Sequence, residues 1–302
     1  MNRPLPPKVL SIAGSDSGGG AGIQADLKAF ARCGVHGMTA ITAITAQNTV
    51  AVTAVYPLPP DAIVEQVRAV ADDIGVDAVK IGMLGTAETI EAVDRALDLV
   101  GDVPVVLDPV MVAESGARLL DEDAEAELRN RLLPRVTVVT PNVPEARVLA
   151  GAHLEGEAGG ARDPGGEAGD ARDPGGEAGE ARDPGGPPPA WNAGAPEAEH
   201  LARAIHQLGP DVVVITGGHR EEATDLFFDG ERAVEIPGER YPDGASHGSG
   251  CTHSSALAAH LALGHDPLEA AREAKRIAAE GVRDGLRGLG KGAGPVDVLL
   301  RL

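Results

Sequence analysis

The sequence predicts a three-layer α/β/α fold with a mostly parallel central sheet, and two observations carry that prediction. Short runs rich in Val and Ile alternate with segments whose apolar residues recur at the spacing of one buried helical face. The runs are apolar throughout instead of alternating with polar residues, which is typical of strands covered by helices on both faces. A chain of 302 residues is long enough for one large domain of this class.

The predicted strands are apolar runs bounded by turn residues, at Val9–Ala13, Gly37–Thr45, Ala78–Met83, Val103–Asp108, Val136–Thr140 and Asp211–Thr216. The stretch DLFFDGERAVEIPG, 225–238, contains an Asp-Gly turn and predicts a small antiparallel hairpin at one edge of the sheet. Two helices, 252–263 and 267 to about 286, are predicted to close the chain.

Helix start and stop signals agree with this alternation. Apolar residues are spaced for one buried face over 23–31 and 63–74. Asp61 and Thr86 are suitable N-caps. Glycine follows the last periodic residue of three segments, at Gly34, Gly75 and Gly101. The intervals between the strands are therefore predicted to be helical.

The segment from about 156 to 194 does not share this pattern. It contains three near-copies of EAGxARDPGG, at 157–166, 167–176 and 177–186. A repeat this short, with Pro, three invariant Gly and no apolar side chain larger than Ala, cannot bury a core. The sequence thus predicts a single domain, 1–302, interrupted by a low-complexity surface insertion at about 156–194.

Charge and composition exclude several classes of partner. The formal net charge of −20 argues against nucleic acid and against anionic membranes. Any bound phosphate must then be held locally, by backbone amides, a metal or a few placed cations. Cys33 and Cys251 lie too far apart in sequence to suggest a disulfide framework. No apolar stretch approaches the ~18–20 residues that span a bilayer, and we expect a cytoplasmic protein.

Polar and glycine residues follow every predicted strand. They include Gly14-Ser15-Asp16, Gln47-Asn48, Gly82-Met83, Asp108-Pro109-Val110, Pro141-Asn142 and Gly217-Gly218. In an open parallel sheet, the ligand crevice lies outside the carboxyl ends of the strands. These residues are therefore expected to share one rim.

The first glycine-rich turn resembles a dinucleotide site only in part. Gly20–Ala25 fits G-x-G-x-x-[GA], but a dinucleotide fold also needs an acidic residue at the end of the second strand. That strand ends in Gln47-Asn48, and the carboxylate of Asp16 precedes the glycines, where it would repel a pyrophosphate. An NAD-dependent oxidoreductase is therefore disfavoured, and the turn is expected to bring backbone close to a small neutral ligand.

A second glycine-rich turn, His247–Cys251, runs directly into an amphipathic helix. Backbone N–H groups at a helix N-terminus stabilise an anion. The helix dipole is expected to lower the pKa of Cys251, which makes it a candidate base. An anion hole, a base and carboxylates on one rim predict phosphoryl transfer with Mg²⁺, without a Walker A sequence. His247 and His253 lack metal-ligand spacing, so no zinc site is predicted.

The motifs AGSDSGGGAGIQADLK, ITAQNT, KIGML, LDPVM, TPNVPE and HGSGCTHSSALAAHLA occur in this order over nearly the whole chain. In this combination the chain resembles the hydroxymethylpyrimidine/phosphomethylpyrimidine kinases of thiamine biosynthesis, in the ribokinase-like superfamily. The resemblance implies an ATP- and Mg²⁺-dependent kinase that phosphorylates 4-amino-5-hydroxymethyl-2-methylpyrimidine and then its monophosphate. It also implies a homodimer.

The resemblance assigns functions to individual residues. It implies a pyrimidine pocket lined by Gly14, Asp26, Gln47, Met83 and Val110. It implies an anion hole and base formed by Gly248, Gly250 and Cys251. It implies a nucleotide and metal region in which Asn142, Ser249 and Gly218 bind nucleotide and Asp108 and Glu145 bind the metal.

One position departs from the family pattern. The family usually reads KGGH after the sixth strand, whereas this chain has Thr216-Gly217-Gly218-His219. Loss of that lysine leaves open a non-catalytic ligand-binding protein. A pyridoxal or pyridoxine kinase also stays open, because its pyridine substrate has a similar ring and hydroxymethyl group.

Overall fold

The computed structural model describes residues 4–158, 195–217 and 223–299. Within these ranges the strands are β1 (Lys8–Ala13), β2 (His36–Ile41), β3 (Ala43–Gln47), β4 (Val52–Pro57), β5 (Ala78–Ile81), β6 (Val105–Leu107), β7 (Val138–Val139), β8 (Val212–Ile215), β9 (Asp225–Phe228) and β10 (Ala233–Ile236). The helices are α1 (Gly22–Cys33), α2 (Pro60–Asp73), α3 (Ala87–Leu97), α4 (Glu122–Glu127), α5 (Val143–Ala158), α6 (Ala195–His206), α7 (Ser249–Ala262) and α8 (Pro267–Arg283). Short π- and 3₁₀-helical turns follow α4.

Eight strands form one sheet in the order β10-β9-β8-β7-β6-β5-β1-β2. The six strands from β8 to β2 are parallel, with β1 in register between β2 and β5. β9 and β10 add antiparallel to one edge. The predicted parallel sheet and its edge hairpin are therefore confirmed.

Alternate residues of each strand enter two separate cores, which confirms the three layers. Leu10 of β1 packs with helices α2 to α6 on one face. Val9, its neighbour, packs with α1, α7 and α8 on the other face. Because side chains of successive strand residues point to opposite faces, continuous apolar runs are what such a sheet requires.

The predicted strand Gly37–Thr45 is wrong as a single element. The chain leaves the large sheet after Ile41, and β3 pairs antiparallel with β4 in a separate two-stranded sheet. The change of direction is fixed at Thr42, whose hydroxyl donates to the carbonyl of Met83 and whose carbonyl accepts from the N–H of Leu58. The sequence GMTAITAIT is uniformly favourable for strands and contains no turn residue that marks this break.

Helix boundaries agree with the start and stop signals, with one exception. Thr86 caps α3 by accepting the N–H of Thr89, and Gly34 ends α1 in a left-handed conformation. Asp61 is not an N-cap, because α2 already begins at Pro60. Most of the predicted insertion lies outside the described residues. No helix in the described parts of the chain is long and apolar enough to cross a bilayer.

Candidate active site

The first glycine turn, Gly14–Gly22, connects β1 to α1 and makes a close crossing of the chain over itself. Gly22 has φ +56°, and a Cβ at this position would lie 2.4 Å from the carbonyl oxygen of Gly14. That carbonyl accepts the N–H of Ile23. On its other side, Gly14 contacts Met83, whose Sδ would lie 3.2 Å from a Cβ at Gly14. The turn therefore brings β1 and the end of β5 together.

Asp16 organises this turn from inside. Its buried carboxylate accepts the backbone N–H groups of Gly18, Gly20 and Ala21 at 2.8–2.9 Å. Burial acts to raise the pKa of Asp16, but hydrogen bonds from His247 and from these amides outweigh it and hold the pKa below its usual value. The carboxylate thus stabilises the turn.

The predicted anion hole, Gly248–Cys251, forms the start of α7 and packs directly on the first glycine turn. Gly248 has φ +86°, and a Cβ there would lie 1.8 Å from the carbonyl oxygen of Gly20. The backbone N–H of Gly22 hydrogen-bonds the thiol of Cys251. Two turns more than 220 residues apart in sequence therefore meet at the N-terminus of one helix.

The expected lowering of the Cys251 pKa is wrong. Burial raises the pKa of the thiol to about 12, and the neighbouring carboxylates of Asp26 and Asp108 act in the same direction. Lys80 and the hydrogen bond from Gly22 act to lower it but do not prevail. In the ligand-free protein the thiol is therefore protonated at neutral pH.

Beneath the anion hole lies a fully buried polar cluster centred on Asp26. Lys80 Nζ contacts both carboxylate oxygens at 3.0 and 3.1 Å, and the hydroxyls of Ser11 and Ser255 donate to them at 2.6 and 2.7 Å. Asp26 and Lys80 are both 0% exposed. Burial acts to lower the pKa of Lys80, but Asp26, Cys251 and Asp108 raise it well above its usual value, so Lys80 is charged.

Sequence reasoning missed Lys80 as a site residue. The signal was available, because a lysine inside the apolar run AVKIG is rarely tolerated in a buried strand without a partner. Asp26, by contrast, was predicted to contact the substrate. The structure places its carboxylate on the buried side of α1, facing Lys80, and the predicted contact stays untested.

The two predicted metal ligands lie in the segments that follow the neighbouring strands β6 and β7. Asp108 follows β6 and accepts the hydroxyl of Ser254 at 3.0 Å. Glu145 lies in the first turn of α5, where it accepts the N–H of Asn142 at 3.0 Å while Asn142 Oδ1 accepts the N–H of Glu145 at 2.9 Å. This reciprocal pair is a capping box, so the motif Asn-Val-Pro-Glu fixes the Glu145 carboxylate through the helix start.

The residues present fit a magnesium ion. Burial raises the pKa of Glu145 to about 8, and the charge of Asp108 adds to this. Burial also raises the pKa of Asp108, against the charge of Lys80 and the hydrogen bond from Ser254. Two buried carboxylates that repel each other favour a cation between them, and Mg²⁺ binds through one or two carboxylates plus substrate phosphates. No cluster of three or more candidate ligands occurs among the described side chains.

The remaining predicted substrate residues lie at the mouth of the site. Gln47 ends β3 and exchanges hydrogen bonds with Ser17 of the first glycine turn, at 2.6 and 2.8 Å. Val110 is half-buried two residues after Asp108. A cavity of about 220 Å³ opens beside Gln47 and is also lined by Glu114 and His247.

The nucleotide side is described only in part. Thr216 and Asn142 pair in parallel beyond the ends of β8 and β7, so both reach the rim. Ser249 begins α7 on the same rim. The N–H of Gly217 donates to Asp225 at 2.8 Å. Gly218, a predicted nucleotide residue, lies outside the described residues.

The chain is similar to known kinases in sequence and in structure. The family model for phosphomethylpyrimidine kinase matches residues 16–162 and 192–297. The hydroxymethylpyrimidine/phosphomethylpyrimidine kinase of Rhizobium meliloti is 45% identical over 291 residues, 95% of each chain. The structure of the pyridoxal kinase from Staphylococcus aureus in complex with ADP matches with a TM-score of 0.78 at 31% identity, covering 98% of this chain and 94% of that chain. The phosphomethylpyrimidine kinase from Clostridium difficile 630 matches with a TM-score of 0.69 at 35% identity, covering 91% and 98%.

Proposed function

The chain belongs to the phosphomethylpyrimidine kinase family, and we propose from this membership that it phosphorylates 4-amino-5-hydroxymethyl-2-methylpyrimidine with ATP. The monophosphate is phosphorylated again to the diphosphate used in thiamine biosynthesis. The fold is ribokinase-like, as predicted. The observation that carries the proposal is the contact between the first glycine turn and the anion hole. It sets the pocket proposed for the pyrimidine beside backbone amides that can stabilise a phosphoryl group.

The pyrimidine is assigned to the pocket bounded by Gly14, Gln47, Met83 and Val110. Gly14 and Met83 are in contact, and a thioether is suited to pack on a heteroaromatic ring. Gln47 offers an amide that can both donate to ring nitrogens and accept from the amino group. The hydrogen bonds between Ser17 and the Gln47 backbone support this arrangement, because they fix the backbone from which the side-chain amide extends at the pocket mouth.

Phosphoryl transfer is assigned to the opposite side of the first glycine turn. The backbone N–H groups of Gly248, Gly250 and Cys251 are proposed to stabilise the charge on the transferred phosphoryl group. Cys251 is proposed to accept the proton of the substrate hydroxymethyl group. The thiol is protonated in the ligand-free protein, so it must first release its proton to solvent before it can accept the hydroxymethyl proton as a thiolate. Lys80 and the N–H of Gly22 favour the thiolate form.

Asp108 and Glu145 are proposed to hold Mg²⁺, and Asn142, Ser249 and Gly218 to contact ATP. When bound, the ion supplies positive charge to the nucleotide phosphates. Asp108 is close to the charged Lys80 and accepts a hydrogen bond from the hydroxyl of Ser254. These two contacts orient its carboxylate toward the anion hole. Thr216 supplies no cation at the position of the family lysine, so the phosphates depend more strongly on Mg²⁺ and on the α7 amides.

A pyridoxine kinase is the second candidate, because the Staphylococcus aureus structure similar to this chain is a pyridoxal kinase. The test incubates the full chain with ATP, Mg²⁺ and equal amounts of hydroxymethylpyrimidine and pyridoxine, and identifies the products by mass spectrometry. We expect mono- and diphosphorylated pyrimidine in excess over pyridoxine phosphate. Pyridoxine phosphate alone would contradict the substrate. No product from either, with tight pyrimidine binding, would support the non-catalytic protein.

The Cys251→Ser variant tests the role proposed for Cys251 in this assay. It is expected to bind the pyrimidine, measured by calorimetry, and to form product at least about 100-fold more slowly, since a serine hydroxyl is a far weaker proton acceptor than a thiolate. Cys33→Ser is the matched variant, because Cys33 lies at the C-terminal end of α1, away from the anion hole. We also propose that the protein is cytoplasmic and that it forms a homodimer. Sedimentation of the purified chain tests the homodimer.

A further inference from the structure

We propose that the His247 imidazolium is a positioning residue that connects the anion hole to the first glycine turn and to the 113–117 loop, and that turnover requires its charged form. The inference rests on the proposed function, because it concerns the geometry of the same site. His247 immediately precedes Gly248 and is not among the residues to which the family resemblance gives a function.

Both nitrogens of the ring face carboxylates. His247 Nε2 lies 2.9 Å from Asp16 Oδ2, and Nδ1 lies 3.5 Å from Glu114 Oε2. A carboxylate only accepts hydrogen bonds, and a neutral imidazole has only one N–H. The ring satisfies both partners only when it carries two protons. These are the charged groups that face it, one from the first glycine turn and one from the loop after β6.

Each partner of His247 controls a different loop. Asp16 gathers the amides of Gly18, Gly20 and Ala21, and the ring lies so close to this turn that a Cβ at Gly20 would be 2.2 Å from His247 Cδ2. Glu114 also accepts the hydroxyl of Ser246. The side chain is therefore the contact through which the turn on the pyrimidine side and the loop after β6 are fixed relative to α7.

The backbone of His247 adds a fourth segment to this junction. Its N–H donates to the carbonyl of Gly294 at 3.3 Å, and its carbonyl accepts the N–H of Val296 at 3.0 Å. The residue that follows, Gly248, packs on Gly20 with no room for a Cβ. A change in the side-chain contacts of His247 is thus transmitted directly to the amides of the anion hole.

The charge of the ring has a defined dependence on pH. Hydrogen bonds to Asp16 and Glu114 raise the pKa of His247 to about 9, although partial burial opposes them. The pKa of His247 in the folded protein lies above the unfolded value of 6.5. The stabilisation that the charged ring gives is therefore fully present below about pH 6.5 and is lost as the pH rises through about 9. The phosphorylation rate is therefore expected to fall on the alkaline side near pH 9.

The experiment compares pH profiles of kcat for the full-length wild type, His247→Gln and Glu114→Gln with hydroxymethylpyrimidine and MgATP. Glu114→Gln removes one of the two carboxylates, so the alkaline limb is expected to move down by about one pH unit. His247→Gln is expected to lower kcat about 10-fold at pH 7.5, with a smaller change in KM, and to abolish that limb. His36→Gln, exposed at the start of β2 on the far edge of the sheet, is the matched control and should behave as wild type.

An NMR titration of the histidine ring protons gives a second readout that needs no turnover. The resonance missing from His247→Gln is assigned to His247 and is expected to titrate near pH 9 in wild type; if that variant does not fold, the resonance shifted by Glu114→Gln identifies it. A ring that titrates near 6.5, or an alkaline limb unmoved by Glu114→Gln, would overturn the inference. A ring that titrates near 9 in a protein without kinase activity would instead overturn the proposed function. The inferred contacts of the charged ring with Asp16 and Glu114 would still hold.

Discussion

The buried Asp26–Lys80 pair affects both the stability of the protein and the charge near Cys251. Two charges without solvent contact are stable only because each satisfies the other and because Ser11 and Ser255 complete the carboxylate. The pair lies beneath both Cys251 and Asp108, so its lysine places a fixed positive charge near the thiol. Structure and reactivity therefore depend on the same ammonium group.

Lys80→Met is expected to lower the free energy of unfolding by about 3–5 kcal/mol, because it leaves Asp26 buried and unpaired. The double variant Lys80→Met/Asp26→Asn should recover most of that stability without recovering phosphorylation, since the charge near Cys251 remains absent. Urea unfolding and product formation measure the two effects. Lys8→Met is the matched control: the Lys8–Asp77 pair is 30% and 40% exposed, so its loss should cost less than about 1 kcal/mol. Full activity in the double variant would contradict this account of Lys80.

Residue-level chemistry was only partly predictable from the sequence. The helix dipole suggested a low pKa for Cys251, but a dipole acts as about half a charge and the thiol is buried near two carboxylates. Those carboxylates come from α1 and from the end of β6, more than 140 residues away in sequence. Lys80, in contrast, was detectable, because its position inside an apolar strand already required a partner.

At the scale of elements, helix α7 carries the proposed anion hole at its N-terminus and is bounded by two glycines with nearly the same φ. Gly248 precedes it with φ +86° and Gly264 follows it with φ +88°. Gly248 faces the carbonyl of Gly20, whereas nothing lies within 4 Å of a Cβ at Gly264. The two positions thus share a φ that strains any residue with a Cβ, and they differ in what would surround that Cβ.

Gly264→Ala is expected to cost about 1–2 kcal/mol, the penalty of a left-handed alanine. Gly248→Ala should cost more than this and reduce kcat at least about 100-fold, because the new methyl group must push the first glycine turn away from the anion hole. Thermal unfolding and steady-state kinetics separate the two contributions. Equal effects of the two substitutions on stability and on kcat would show that only backbone strain matters.

The elements themselves were well predicted where one signal decides them. Continuous apolar runs identified the central strands, and Asp229-Gly230 identified the edge hairpin. The break at Thr42 was missed because it is made by a side-chain contact with Met83, which lies 41 residues later. The capping box at Asn142 and Glu145 was interpreted only as a ligand motif, although the same four residues also start α5.

At the scale of the whole molecule, a net charge of −20 must coexist with an anionic substrate. Long-range repulsion is screened beyond about 8 Å at physiological ionic strength, so only local groups decide binding. The local positive groups include the amides of α7 and the charged His247 at the rim, and Lys80 buried beneath it. Charges of the acidic repeats that lie more than about 8 Å from the site are screened in the same way.

Deletion of 157–186, the three repeats, is therefore expected to leave kcat and both KM values within about 2-fold of wild type at physiological salt. The repeats carry net charges of −1, −2 and −2, and the family match stops at residue 162 and resumes at 192. Steady-state kinetics at two salt concentrations test this expectation. A loss of more than about 10-fold would show that the insertion contributes to catalysis.

The packing of Gly248 on Gly20 has a consequence for how the protein acquires its activity. Every residue assigned to the pyrimidine lies before residue 111, and every amide assigned to the phosphoryl group lies after 247. Contacts of such large sequence separation are costly to form, because the entropy of closing the intervening loop must be lost first. During synthesis, a ribosome-bound chain that already has its parallel strands can have a pyrimidine surface but no catalytic centre. The proposed phosphorylation therefore requires α7 to be docked on the first glycine turn.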